Sequence, residues 1–187
     1  MPHLGYKTLN KEKALEVPSK YYFELATWQR INWLYTKQTM VELRQVRHAA
    51  MHPELIERLI AVVESRQGHN LASKVEDAKI QLTASATTSI DLGLLGGHLN
   101  VDITRQDLDD ALHESVGRIV TTVQKTLDAA ALKPADIQAI FLTGGSTQIP
   151  IVKDSILSMF ANPNVVEGDM FGSVGLGLGL DAKRKFA

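Results

Sequence analysis

The chain has 187 residues, a length that suits one large domain or two small ones. Its 20 basic and 21 acidic side chains leave a formal net charge of −1, with no electrostatic footprint for nucleic acid or an anionic membrane. There is no cysteine, which excludes disulfides, thiolate metal sites and thiol nucleophiles. An apolar share of 44% against 22% charged residues is enough to build a core. Residues 1–10 lack the apolar centre of a signal peptide, and no stretch approaches the roughly 18 apolar residues of a membrane span. The expectation is a cytoplasmic protein without nucleic-acid or membrane partners.

Residues 1–18 carry no period and contain Pro2, Gly5 and Pro18, which predicts a loop or ragged end. Ser19 stands where a helix N-cap would, and Tyr22, Phe23, Ala26, Trp33 and Leu34 follow at roughly helical spacing. A second helix is predicted from Thr39 to Ala50 with Met40, Leu43 and Val46 on one stripe. Pro53 suits the first turn of a third, with Leu55, Leu59, Val62 and Val63 on one face and Gly68 as its stop. A fourth starts at Asn70, with Leu71, Val75, Ala78 and Leu82 at a helical interval. The period then shortens to two. Ile90 and Leu92 alternate with Ser89 and Asp91, and Leu99, Val101 and Ile103 with Asn100 and Asp102, around Gly93, Gly96 and Gly97. This predicts an antiparallel hairpin with one wet face.

Thr104 and Asp107 form a capping-box pattern ahead of a long helix over residues 105–131. Its stripe is Leu108, Leu112, Val116, Ile119, Val120, Val123 and Leu127, and Lys133 and Pro134 stop it. Ala139-Ile140-Phe141-Leu142 is too short for a helix and suits a buried strand. Pro150 opens another helix with Val152, Ile156, Met159 and Phe160 inward, and Val165 and Val166 suggest a last strand. Asp169 is placed to cap a final helix over 170–185 that carries Gly172, Gly175, Gly177 and Gly179. Each interior glycine costs a helix about 1 kcal/mol relative to alanine, so tight packing against a neighbouring backbone is expected there. The strand at 139–142 is apolar on both faces and finds only 164–166 as a partner, which implies that sheet partners lie outside this chain.

The chemistry-bearing segment is Phe141-Leu142-Thr143-Gly144-Gly145-Ser146-Thr147-Gln148-Ile149-Pro150. A strand runs into a glycine pair and then a helix start, so a ligand can approach the backbone closely. The plain alternative is a tight connection. No lysine follows the glycines, so this is not a Walker A loop. His48 and His52 are four apart, but Pro53 interrupts any helix that would align them as metal ligands. The aromatics between Tyr21 and Tyr35, interleaved with Lys20 and Arg30, suit core or interface packing better than base stacking at this net charge. Lys183, Arg184 and Lys185 suit a solvated last helical turn.

Strand-Gly-Gly-Ser-Thr-x-Ile-Pro, then a helix, then Gly168-Asp169 ahead of a glycine-rich helix, resembles the adenosine-side motif of DnaK-type heat-shock chaperones. Val75-Glu76-Asp77-Ala78-Lys79-Ile80-Gln81-Leu82-Thr83 is similar to that family's helix over the nucleoside, and the hairpin and Ile103-Thr104-Arg105 match in order. The resemblance spans roughly residues 70–182 and points to the YegD-like branch, whose members largely end after the ATPase domain. It implies a fold of mixed α+β and α/β character: part of a lobe of an actin-like, ribonuclease-H-like ATPase. Residues 1–103 would be its helical and hairpin subdomain, and 104–187 part of its α/β core.

Carried onto this chain, the resemblance brings Gly144, Gly145 and Ser146 to the ribose and phosphates through the backbone. Glu76, Lys79 and Thr83 would hydrogen-bond the adenosine, and Asp169 would sit near the base. On residue type alone, Glu76 and Lys79 are an exposed i,i+3 pair worth a few tenths of a kcal/mol. Ile80 and Gln148 occupy positions where many family members sandwich the base between two arginines, which removes about 0.5–2 kcal/mol of cation–π stacking at each. The implied cofactor is ATP or ADP, with magnesium in the intact parent. The family's Asp-x-Gly-x-Thr and Asp-x-Gly-Gly phosphate hairpins, and the lobe that supplies the catalytic lysine, do not occur in this sequence. Phosphoryl transfer needs phosphates, metal and water placed together, so the chain alone is expected not to hydrolyse ATP and to bind it feebly. The implied partners are the missing N-terminal lobe, and a cochaperone or a second copy joined through unpaired strand edges. The competing reading is a nucleotide-independent interaction module that docks through the aromatic helical region.

Overall fold

Thr36 is extended and its hydroxyl accepts the Thr39 amide at 3.1 Å, which starts one of the helices of the N-terminal half. The structure is a computed structural model and describes all residues except 13, 96–98, 169–171 and 187. In chain order it contains α1 (Lys20–Ala26), α2 (Lys37–Ala49), α3 (Pro53–Glu64), α4 (Gly68–Ala84), β1 (Thr87–Asp91), β2 (Asn100–Thr104), α5 (Arg105–Ala129), β3 (Ala139–Leu142), α6 (Pro150–Leu157), β4 (Asn164–Glu167) and α7 (Gly172–Phe186). The chain divides into two units, Met1–Gln81 with Thr87–Ile103, and Leu82–Ala86 with Thr104–Ala187. The division falls inside α4.

In the first unit α3 supplies more of the core than any other element. Ile56, Leu59, Ile60, Val62 and Val63 are buried along it, and α2 adds Leu43. Full burial of each such side chain contributes about 1.5–3 kcal/mol. Residues 1–18, expected as a loop or ragged end, are an irregular segment in the described part, tied to this core rather than ragged. Leu4 and Val17 enter this core, the Tyr22 hydroxyl donates to the Leu4 carbonyl at 3.0 Å, and Asn10 bridges Ala50. Residues 19–35 do not form one helix. α1 stops at Ala26, where the Thr27 hydroxyl donates back to the Phe23 carbonyl, and a 3₁₀ turn follows over Trp28–Leu34. Three residues per turn put Ile31 inside with the expected Leu34, while Trp33 points outward; on α1 the expected Tyr22 is buried with Tyr21 and Leu25, and Phe23 points outward.

Gly68 does not stop α3. That helix ends at Glu64, the chain reverses through Arg66 at φ +55°, and Gly68 opens α4. A Cβ at Gly68 would stand 2.6 Å from Ile31 Cγ2 and 2.7 Å from the Tyr35 hydroxyl, which accepts the Gly68 amide at 3.0 Å. Glycine is there because the neighbouring 3₁₀ turn leaves no room. Along α4, Leu71, Ala78 and Leu82 are buried, but Val75 faces out. β1 and β2 pair with the expected alternation, so Ile90, Val101 and Ile103 share the covered face. Gly96 and Gly97 lie outside the described residues.

In the second unit the Thr104–Asp107 capping box forms in full, with Thr104 Oγ1 accepting the Asp107 amide and Asp107 Oδ2 accepting the Thr104 amide. α5 buries Val116 against Ile149 and Val152, with Leu108, Leu112, Val120 and Ile156 around them, while Ile119 is partly exposed. α6 ends at Leu157, so Met159 and Phe160 sit in the following turn rather than on its inner face. β3 and β4 pair in parallel, with Ala139 opposite Asn164 and Leu142 opposite Glu167. Phe141 is 61% exposed, so the expected burial on both faces of β3 is not met among the described residues. The packing expected at the glycines of α7 is likewise not met among the described residues: a Cβ at Gly175, Gly177 or Gly179 meets none of them within 4 Å.

Candidate functional site

Parallel pairing brings the carboxyl ends of β3 and β4 side by side. Leu142 is the last paired residue of β3, and its carbonyl accepts the Gly168 amide at 3.0 Å, one position past the end of β4. The turn after β3 and the segment after β4 therefore leave from the same end of the sheet. In open α/β sheets that end is where ligands bind.

The turn has a defined shape. Gly144 adopts φ 88° and ψ 148°, a conformation that side chains disfavour. Its carbonyl accepts both the Thr147 amide at 3.1 Å and the Thr147 hydroxyl at 2.7 Å, which closes a 3₁₀ turn over Gly145–Gln148 ahead of α6. Gly145 has no positive φ, and a Cβ on it meets nothing within 4 Å. Neither backbone conformation nor crowding by the described residues requires glycine there. Gly145 and Ser146 are exposed, while Gln148 is half-buried at the end of the turn.

The second group of expected residues lies on α4. Glu76, Lys79, Ile80 and Thr83 recur at intervals of three and four, which sets them along one stripe. Lys79 Nζ lies 2.6 Å from Glu76 Oε1, so this pair is closed on itself in an exposed i,i+3 bridge. Ile80 is 57% exposed, and Thr83 is half-buried. Glu76, Lys79 and Ile80 fall in the first unit, and Thr83 shares the second unit with the glycine turn. Asp169 lies outside the described residues. His48 is within α2 and His52 precedes α3, with His52 Nδ1 3.2 Å from Glu54 Oε1, so the two histidines do not share a helix.

One residue with a clear role near Thr83 enters the sequence reading only as part of the Ile103-Thr104-Arg105 match, with no role attached. Arg105, the first residue of α5, donates from Nε to the Leu82 carbonyl at 2.9 Å and from Nη2 to the carbonyls of Thr83 and Ser85 at 3.2 and 3.0 Å. Its backbone amide donates to the Ala86 carbonyl at 2.8 Å. The partners lie about 20 positions upstream, beyond the reach of any local pattern.

A family model described as Hsp70 protein matches residues 55–175, well over half of the chain. The chain belongs to the Hsp70 family. The matched part of this Hsp70-family chain runs from within α3 to the start of α7 and includes α4, Arg105, the glycine turn and both strands of the parallel pair. Residues 1–54, with α1, α2 and the exposed Trp28 and Trp33, lie before it. A chaperone protein HscA homolog of Burkholderia cenocepacia is 30% identical over 113 residues, 60% of this chain. The Hsp70-family chain spans 18% of the length of that relative. The helix-rich α+β arrangement with small sheets agrees with an Hsp70 domain of the actin-like ATPase superfamily. Among the described residues, no helix is long and apolar enough to cross a membrane.

Proposed function

We propose that this chain supplies the adenosine side of the ATP cleft of an Hsp70-type ATPase of the YegD-like branch, in a cytoplasmic setting. In this reading Gly144, Gly145 and Ser146 meet the ribose and phosphates through their backbone. Glu76, Lys79 and Thr83 address the nucleoside, and Asp169 orders the loop beside the base. Glu76 and Lys79 must open their mutual bridge to do so, a small cost for an exposed pair. Magnesium, the attacking water and the catalytic lysine belong to a lobe outside this chain. The chain alone therefore binds nucleotide weakly and releases no phosphate.

The observation that carries the proposal is the hydrogen bond between Gly168 and Leu142, which sets two loops at one end of a parallel pair, one of them with a glycine at 145 that neither its backbone conformation nor the described residues require. Ile80 and Gln148 offer no guanidinium plane to the base, so discrimination between purines is weak. Calorimetric titration of Mg-ATP and Mg-GTP into the chain tests this reading. The expected result is millimolar binding of both with little preference. No heat with either at millimolar concentration overturns it.

Exposed aromatics favour one second reading. Trp28 and Trp33 are 56% and 59% exposed and lie before the part matched by the family model. Docking of a cochaperone through them would need no nucleotide. Deleting this region would also remove Leu25, Ile31, Leu34 and Leu43 from the core, so the clean test is the double substitution Trp28→Ala and Trp33→Ala. A cochaperone captured equally by that variant rules the second reading out.

A further inference from the structure

We infer that Arg105 is a positioning residue for nucleotide binding, acting through Thr83 at the last turn of α4. This rests on the proposed role of Thr83. A helix leaves its last carbonyls without intrahelical partners, and a fixed cation there both caps them and complements the helix dipole. α4 ends at Ala84, and Arg105 takes the carbonyls of Leu82, Thr83 and Ser85 with its side chain and that of Ala86 with its amide. The backbone that carries the guanidinium is itself held in place. Arg105 directly follows the N-cap Thr104, whose hydroxyl and amide are both fixed by Asp107. A planar fork engages several acceptors at set angles, whereas a lysine ammonium supplies one mobile charge. Arg105 and residues 82–86 lie in one unit, which also contains the glycine turn. The clamp therefore sets Thr83 within the same unit that carries the backbone expected to meet the phosphates.

The test is a titration of Mg-ADP into the isotopically labelled 187-residue chain, followed by amide NMR, for the unaltered chain, Arg105→Met, Arg105→Lys, Thr83→Val and the Arg105→Met, Thr83→Val pair. All are compared at a temperature where circular dichroism shows each to be folded. The expected result is a loss of about fivefold or more in affinity for Arg105→Met, of the order that follows from removing charge-assisted hydrogen bonds, with Arg105→Lys restoring only part of it. In the Thr83→Val background the Arg105 substitution costs little further, because the side chain it positions is already gone. If Arg105→Met does not fold, Arg105→Lys carries the same comparison. Equal binding by the Arg105 variants and the unaltered chain overturns the inference and leaves the proposed function standing. So does an equal loss with and without the Thr83 hydroxyl. An unaltered chain that binds no nucleotide overturns the proposed function and this inference together.

Discussion

The amide of Gly168 donates to the carbonyl of Leu142 at 3.0 Å, just past the register pair Leu142–Glu167. That bond fixes the start of the segment after β4 two residues from Gly144. It makes the glycine turn part of a two-loop edge rather than an isolated bend, and separable consequences follow for its two glycines.

Gly144 is required by its backbone. At φ 88° and ψ 148°, with no described residue within 4 Å of a Cβ, alanine must adopt a conformation that costs roughly 1–3 kcal/mol. Gly144→Ala is expected to lower the stability of the second unit by that amount. Both tryptophans lie in the first unit, so the loss should appear in far-ultraviolet circular dichroism or amide NMR of α5 and α6, with the tryptophan fluorescence transition unmoved.

Gly145 behaves differently. Its backbone is ordinary and no described residue lies within 4 Å of a Cβ there, so Gly145→Val should change stability by less than about 0.5 kcal/mol. The same substitution places a branched side chain where the proposal brings a phosphate against the backbone, so calorimetry should show Mg-ATP affinity reduced. Unchanged affinity would leave Gly145 as a plain turn residue.

Gly68→Ala separates helix propensity from packing. Alanine is favoured over glycine by about 1 kcal/mol inside a helix. At Gly68, however, the new Cβ stands 2.6 Å from Ile31 Cγ2, 2.7 Å from the Tyr35 hydroxyl and 3.2 Å from Leu25 Cδ1. Overpacking costs about 1–3 kcal/mol and wins, at a first-turn position where propensity counts least. The tryptophan fluorescence unfolding midpoint is expected to fall.

Glu42 gives the first unit a pH dependence of known sign. Hydrogen bonds from Lys20, Gln38 and Tyr21 hold its carboxyl well below the ordinary value of 4.5, at about 2. The folded state therefore binds this proton more weakly than the unfolded chain. Its stabilisation is present above pH 4.5 and disappears as pH falls from there toward 2. Urea midpoints followed by tryptophan fluorescence should drop across that window more steeply in the unaltered chain than in Glu42→Gln. The two should converge at the acid end.

Local rules made some of this molecule legible. Thr104 and Asp107, three apart, announce the cap that forms, and Pro53 and Pro150 mark the helix starts they occupy. The alternation in β1 and β2 needs only period two. What failed was decided by contacts between distant residues. Nothing around Gly68 reveals that a tyrosine 33 positions earlier will sit against it, and so a helix start resembles a stop. Residues 19–35 fit a helical stripe only if one period runs throughout, and the switch to 3₁₀ geometry after Thr27 puts Ile31 in the core beside the expected Leu34 and leaves Trp33 exposed. At the candidate site the glycine turn was readable because strand, glycines and proline are contiguous. Arg105 was not, because its role exists only once α4 has been brought to the start of α5.

Amide NMR of the labelled chain titrated with Mg-ATP reads the central proposal most directly. The proposal requires progressive shifts at Gly144, Gly145, Ser146 and Gly168, with the amides of buried Ile56, Leu59 and Val62 unmoved. Saturating nucleotide that leaves the turn amides in place, or shifts cores and turn alike, contradicts it.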